Sequence, residues 1–247
     1  MREVKNIFRK IYPVMIFGVL LFPGSFLAQE NYEGKIIKEI NLAGLERTKE
    51  YIVTRELKSE VGKPCRQKTL DEDYQRLDLL DIFSQITIVP MVEDDSVIVL
   101  YSFVETFPIL PSISMKITDE NGVSAGGGVK SPNLLGKDIF FSGRLVAGGE
   151  LEAEVWIENP WVFGNHIGYK FEYYHRERNN LIADFVATAD ELYFRLGGHL
   201  AEHGRLGGSL EFLRVHSDRD GATLSPENND YVSRIGVYVG YDSRDAF

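Results

Sequence analysis

Hydrophobic and charged residues alternate strictly through residues 151–158. One face of the extended chain would carry Leu151, Ala153, Val155 and Ile157, and the opposite face would carry Glu152, Glu154 and Glu158. Such alternation predicts a β-strand with one apolar face and one wet face. The wet face of a soluble sandwich meets solvent, whereas that of a membrane barrel meets a water-filled lumen, so this segment alone permits both folds.

The same alternation recurs along the chain after Pro111, between turns rich in glycine and polar residues. Seven predicted strands cover residues 123–130, 138–147, 151–159, 166–175, 191–200, 205–216 and 231–242. A strand of about ten residues is long enough to cross a bilayer at a tilt. Glycines inside the strands and aromatic residues near their ends also favour a transmembrane barrel region at residues 112–247 over a secreted antiparallel sandwich.

The amino terminus indicates export. Basic residues at positions 2, 5, 9 and 10 precede an apolar run at residues 14–22, which ends near Pro23. This order is typical of a secretory signal peptide, and we expect residues 1–28 to be removed by cleavage after Ala28. A membrane anchor is the alternative, but Gly18 interrupts the run, and a spanning helix needs about 20 apolar residues.

Composition narrows the choice of partners. The 247 residues carry a net charge of −10, which disfavours binding to nucleic acid. Cys65 is the single cysteine, so the chain can form no internal disulfide even though an exported compartment would permit one. We expect Cys65 to serve as a small apolar core residue.

Residues 35–106 follow a different pattern, which predicts a small α+β domain. The predicted elements are a strand at residues 36–42, two helices that begin near Thr48 and Thr69, and strands at residues 84–89 and 97–105. Thr48 can cap the first helix, and Thr69 and Glu72 have the spacing of a capping box at the start of the second. The order is strand-helix-helix-strand-strand, in about 70 residues.

Hydrophobic residues and glycines in this block are spaced as in a known periplasmic module. The matching segments are residues 40–44, 48–57, 62, 77–83 and 104–105. The block resembles a POTRA module, which precedes the barrel in several classes of outer-membrane protein. The resemblance implies a periplasmic domain at residues 35–106.

Three later motifs extend the resemblance to the barrel region. They are Asn-Gly-Val-Ser-Ala-Gly-Gly at residues 121–127, Asn-Leu-Leu-Gly-Lys at residues 133–137, and Asn159-Pro160-Trp161. In this order they resemble the opening strands of outer-membrane assembly factors of the BamA and TamA type. The resemblance implies a glycine-rich first strand, a short outer loop that contains Leu-Gly, and a third strand that ends in Asn-Pro.

The resemblance also implies two sites at which strands of incoming proteins pair. One is the glycine-rich first barrel strand, which would form one side of a lateral gate: Val123, Ser124, Ala125, Gly126, Gly127, Gly128, Val129 and Lys130. The other is the outer strand of the POTRA-like module: Gln85, Ile86, Thr87, Ile88 and Val89. The implied partners are unfolded outer-membrane protein precursors, outer-membrane lipid, and periplasmic accessory lipoproteins or chaperones.

Two motifs suggest enzymatic chemistry, but strands explain them better. His199, Glu202 and His203 match the inverted zinc-protease pattern, which works when a helix brings both imidazoles to one metal. Flanking glycines predict a hairpin tip here instead. Residues 126–131 lack the glycine that precedes the lysine of a phosphate loop. We therefore predict a protein that is not an enzyme and that needs no metal or cofactor.

The predicted strand count affects the functional interpretation. Seven antiparallel strands would leave two edges without partners in lipid, so the predicted barrel is incomplete. We therefore expect an amino-terminal fragment of an outer-membrane protein that assembles or inserts other barrels, with its POTRA-like module in the periplasm. A two-partner secretion pore and a secreted β-sandwich that binds a ligand are the alternatives.

Overall fold

The computed structural model describes residues 31–163, 166–180, 184–200 and 204–241. The predicted signal peptide lies outside these residues. The described strands form a three-stranded sheet and an eight-stranded sheet. No helix in the described part of the chain is long and apolar enough to cross a membrane.

The three-stranded sheet and two helices make up the first block. Its elements are β1 (Ile36–Ala43), α1 (Glu50–Thr54), α2 (Gln67–Asp78), β2 (Phe83–Glu93) and β3 (Ser96–Glu105). The central strand is β3, which pairs parallel with β1 and antiparallel with β2. The predicted α+β order of strand, two helices and two strands is confirmed.

The core of this block lies between β3 and the helices. Alternate residues of β3 are buried, including Val97, Val99 and Tyr101, as the period of a half-buried strand requires. Burial raises the pKa of Tyr101, so its hydroxyl group stays protonated and donates a hydrogen bond of 2.7 Å to Asp73 on α2. Asp73 also accepts hydrogen bonds from the backbone amides of Lys58 (2.6 Å) and Ser59 (3.3 Å). A buried carboxylate therefore joins the helix, the sheet and the preceding loop.

Both helices begin differently from the prediction. Thr48 does not cap α1, because its hydroxyl oxygen accepts a hydrogen bond of 2.8 Å from the side chain of Asn133 in the second block. The predicted capping box at Thr69 is wrong, because α2 already begins at Gln67 and Thr69 lies inside it. The carboxylate of Glu33 accepts the hydrogen bond of the Gln67 amide instead, at 2.9 Å. At α2 a tertiary partner therefore replaces the local cap.

Substitution of Asp73 should destabilise the first block. Asp73→Ala removes three hydrogen bonds and leaves the Tyr101 hydroxyl and two amides buried without an acceptor, so we expect a loss of about 3 kcal/mol in the free energy of unfolding. Urea unfolding of residues 32–109 measures it. Asp78→Ala is the matched control, because Asp78 is exposed on the same helix. Equal stability of the two variants would contradict the assigned role.

The eight-stranded sheet makes up the second block. Its strands are β4 (Leu110–Thr118), β5 (Gly122–Ser131), β6 (Phe140–Gly148), β7 (Glu150–Phe163), β8 (Ile167–Asn180), β9 (Phe185–Leu200), β10 (Gly204–Ser217) and β11 (Asn229–Tyr241). Each strand pairs antiparallel with the next one. Among the described residues, β4 and β11 are the two edge strands. They do not pair with each other, so the sheet is open. A single open sheet of this kind is an incomplete barrel and excludes a sandwich of two packed sheets.

The prediction of seven strands is wrong, because β4 precedes the first predicted strand. The resemblance placed the first barrel strand at residues 123–130. Pro111 is tolerated in β4 because β4 is an edge strand. The added strand reverses the end of the sheet at which each later turn lies. The turn at Leu134–Gly136, predicted as an outer loop, therefore lies at the end nearest the first block.

The second sheet curls strongly toward the face that carries Glu152 and Arg144, which we call the inner face. Lys116 on β4 reaches Glu150 and Glu152 on β7, although three strand spacings would separate β4 from β7 by about 14 Å in a flat sheet. Glycines permit this curl. A Cβ atom on Gly126 would lie 1.9 Å from the carbonyl oxygen of Leu145, and one on Gly128 would lie 2.5 Å from that of Gly143.

A side chain at Gly126 should therefore disrupt the curl. Gly126→Ala places a Cβ atom against backbone that cannot rotate away, so we expect β5 and β6 to separate and the folded fraction to fall several-fold. Heat-modifiable mobility on cold SDS gels measures that fraction. Gly143→Ala is the control, because its Cβ atom would meet the Phe141 ring at an ordinary 3.5 Å. A fully folded Gly126→Ala protein would contradict the role of this glycine.

Candidate functional site

The free edge of the second sheet lies on β4. Residues 123–130, predicted to form the exposed gate strand, lie inside the sheet, because β5 pairs with β4 on one side and with β6 on the other. The prediction that their backbone edge is exposed is wrong. Among the described residues, β4 has a strand partner on one side alone, so the unpaired backbone groups of this edge belong to Leu110–Thr118.

The side chains of β4 divide sharply between the two faces. Ile113, Met115 and Ile117 point to the outer face and are 94%, 72% and 67% exposed. Ser112, Ser114 and Lys116 alternate with them on the inner face. Exposed apolar side chains beside unpaired backbone groups give β4 an edge that is suited to a strand partner in an apolar medium.

A second free edge lies in the first block. Residues 85–89 belong to β2, which pairs with β3 alone among the described strands. The edge extends beyond the predicted segment to Glu93, and Val89 and Met91 are partly exposed on it. The structure thus places the two predicted pairing segments in separate sheets, one at an edge and one inside.

The inner face carries a network of ion pairs near the end of the sheet away from the first block. Lys116 contacts Glu150 at 2.6 Å and Glu152 at 3.1 Å, and Arg176 contacts Glu150 at 3.0 Å. Arg144 pairs with Glu152 at 3.4 Å and with Glu154, also on β7, at 3.0 Å. The side chains of Glu150 and Glu152 are 3% and 8% exposed. These carboxylates lie in a buried, charge-balanced cluster.

Arg55 joins the first block to the second sheet. Its guanidinium group pairs with Asp138 at 2.7 Å, donates a hydrogen bond to the Trp161 carbonyl oxygen at 3.3 Å, and lies 4.7 Å from the centre of the Trp161 ring. Glu56 lies beside it at 3.5 Å and also approaches His166 at 3.9 Å. We call this set of contacts the Arg55 joint. Nothing in the spacing of the sequence indicates it, because Arg55 lies far along the chain from Asp138 and Trp161.

The turn at Leu134–Gly136 strengthens this connection. The Lys49 amide donates a hydrogen bond of 2.9 Å to the Gly136 carbonyl oxygen. Gly136 has a φ of 70°, and a Cβ atom on it would lie 1.9 Å from the Arg47 carbonyl oxygen, so glycine is required by both conformation and space. Glu105 holds the facing loop through the amides of Arg47 and Thr48; burial alone would raise the pKa of Glu105, but these hydrogen bonds outweigh it and lower that pKa.

A shallow cavity opens on the inner face near the joint. Its lining includes Glu158, His166, Arg195, His199 and Tyr238. His199 begins the predicted protease-like motif, whose remaining residues 201–203 lie outside the described residues. The described residues bring together no group of three His, Cys, Asp or Glu side chains suited to a metal.

Comparison with known protein families identifies the first block. The POTRA family model, described as "Surface antigen variable number repeat", matches residues 35–106. Residues 35–106 are a POTRA domain. A comparison with curated protein sequences found no match for the chain.

Solved structures share the arrangement of the POTRA domain and the second sheet. The structure of BamA from Haemophilus ducreyi lacking POTRA domains 1–3 superposes with a TM-score of 0.62 at 12% sequence identity over 82% of this chain. CdiB from Escherichia coli gives a TM-score of 0.55 at 15% identity over 84% of this chain. The matched regions make up 42% of each of those proteins. The chain therefore shares the fold of these two proteins over the matched regions, and it spans less than half of their length.

Docking of the POTRA domain on the second sheet should depend on pH through Asp138. Burial raises the pKa of Asp138 to about 7, although the Arg55 guanidinium opposes this shift. When the POTRA domain is released from the second sheet, the pKa of Asp138 should return to about 3.9. The docked form then keeps a proton that the released form loses, so docking is strongest below about pH 4 and weakens as the pH rises to about 7.

Energy transfer between dyes on α2 and on residue 137 measures this docking, after Cys65→Ala removes the native thiol. We expect transfer to fall as the pH rises from 4 to 7. Asp138→Asn should flatten the profile, because the amide does not titrate. A profile that rises with pH, or one that Asp138→Asn leaves unchanged, would contradict the role of Asp138.

Proposed function

We propose that this protein inserts other barrel proteins into the outer membrane and that β4 receives the incoming strand. The observation that carries the proposal is the edge of β4, whose backbone groups have no strand partner among the described residues and whose outer side chains are apolar. In hydrocarbon, unpaired amides and carbonyls cost several kcal/mol each, because no water is present to bind them. A precursor strand that pairs with β4 would satisfy both edges at once.

The distribution of side chains supports a position in the membrane. On the outer face, apolar residues such as Leu192, Phe194 and Phe212 are exposed, and Asp190 and Arg214 follow them toward the end away from the POTRA domain. On the inner face, charged groups such as Lys116, Glu150 and Arg176 pair with one another. An apolar outer band above a polar interior is typical of a transmembrane barrel, so we place β4–β11 in the outer membrane and the POTRA domain in the periplasm.

The edge of β2 would act before the edge of β4. Residues 85–89 can accept an extended precursor segment by strand addition, in which the backbone provides the affinity and alternate side chains provide the selectivity. Unfolded outer-membrane precursors are the proposed partners, and periplasmic lipoproteins or chaperones could use the same edge. The proposed cycle exchanges hydrogen bonds alone, so it requires no enzymatic step and no cofactor.

Site-specific photocrosslinking tests which strand receives the precursor. A photoreactive residue is placed in turn at Ile113, Met115 and Ile117 on β4, and at Val123, Ala125 and Val129 on β5 as matched outer-face controls. During insertion of a small precursor barrel into liposomes that contain the protein, we expect at least ten-fold more adduct from β4 than from β5. Equal yields from both strands would contradict the assignment of β4.

The same reconstitution separates insertion from secretion. An inserted precursor becomes heat-modifiable and remains with the liposomes, whereas a secreted substrate passes to the other side in soluble form. We expect the first result, at a rate several-fold above that of liposomes without the protein. Passage of a soluble substrate across the liposome membrane without insertion of the precursor would favour a two-partner secretion pore instead.

A further inference from the structure

We propose that Lys116 positions the edge strand, and that its ion pairs with Glu150 and Glu152 hold β4 in the curled arrangement in which the edge is presented. Lys116 is the residue of β4 whose side chain reaches across the inner face, since its ammonium group lies 2.6 Å and 3.1 Å from these two carboxylates. The strand is otherwise attached to the sheet through its ladder with β5. We call this connection the Lys116 bridge.

The Lys116 bridge can form only when β4 is curled toward β7. Glu150 and Glu152 belong to β7, and β5 and β6 lie between this strand and β4. If β4 lay flat beside β5, the ammonium group would lose contact with both carboxylates. Lys116 lies opposite Ser124 on β5, and the Ser124 hydroxyl oxygen accepts a hydrogen bond of 2.9 Å from the Glu150 amide. The ion pairs and this hydrogen bond therefore both hold the start of β7 close to β4 and β5.

The surrounding groups make the bridge strong. Glu150 and Glu152 are almost fully buried, so salt screens their attraction for Lys116 less than it screens a surface pair. Arg176 and Arg144 hold the two carboxylates from the other side, at 3.0 Å and 3.4 Å. Asn121, in the turn after β4, donates a further hydrogen bond of 3.3 Å to Glu150. Without Lys116, two buried carboxylates would lose a cation, which is strongly unfavourable.

The consequence for function follows from the position of the edge. A curled β4 presents its free backbone groups in one orientation, and loss of the bridge would let the strand move toward the plane of β5. The functional meaning of this restraint rests on the proposed function. The position of β4 itself does not, so it can be measured in the empty protein.

The distance between two spin labels, measured by double electron–electron resonance, tests the bridge. The full chain carries Cys65→Ala, and spin labels are attached at Ile117→Cys on β4 and Leu151→Cys on β7, both on the outer face and away from the ion pairs. In liposomes, we expect Lys116→Met to change the mean label distance by about one strand spacing, about 5 Å, and to broaden its distribution. Lys116→Arg should keep the native distance.

Two further variants keep the test valid if Lys116→Met folds poorly. Lys116→Met with Glu150→Gln preserves the balance of charge and should still release β4, whereas Glu150→Gln alone should keep the native distance because Lys116 still pairs with Glu152. Lys170→Met is the matched control, because Lys170 lies on the inner face but pairs with Glu172 on its own strand at 2.8 Å. An unchanged distance in the charge-balanced variant would overturn the proposal.

Insertion of a precursor is measured in parallel on the same variants. Released β4 together with a several-fold change in insertion rate supports both the bridge and the proposed function. Released β4 in a protein that inserts no precursor, even with Lys116 intact, supports the bridge and contradicts the proposed function. A native label distance in the charge-balanced variant contradicts the bridge whatever the insertion rate.

Discussion

A strand that faces lipid must hydrogen-bond its backbone groups to other strands, because hydrocarbon supplies neither donors nor acceptors. The second sheet satisfies this constraint from β5 to β10, each of which has two strand neighbours among the described residues. It leaves the constraint unsatisfied at its edges. The edge of β4 has apolar outer side chains beside unpaired backbone amides and carbonyls. The proposed function follows from this combination, because an incoming strand also has backbone groups that must be paired.

The curl of the sheet depends on glycines and charges that act in the same region. Gly126 and Gly128 allow β5 to bend over β6 without a clash, and Lys116 then reaches carboxylates on β7. The glycines meet a steric condition for the curl, and Lys116 meets an electrostatic one. At the opposite end, the Arg55 joint fixes the POTRA domain to the same sheet, so the edges of β2 and β4 belong to one connected framework.

Hydrophobic periodicity predicted the strands of residues 138–241 and the order of the POTRA elements, because both depend on which face of a local segment is buried. It missed β4, although Ser112, Ile113, Ser114 and Met115 alternate clearly, because the resemblance placed the first barrel strand at residues 123–130. That one omission displaced the gate edge and reversed the ends of the sheet. The Arg55 joint and the Lys116 bridge could not be predicted, because each joins side chains that become neighbours through the curl and the domain packing.

Hydrogen exchange of the backbone amides in liposomes tests the central claim most directly. In the protein alone, β5 should be protected along its length because it has partners on both sides, while the amides of β4 that point away from β5 should exchange much faster. Addition of a precursor should protect these β4 amides and leave β5 unchanged. Protection of β4 that the precursor does not alter would contradict the account, since the edge would then not be the place where the incoming strand pairs.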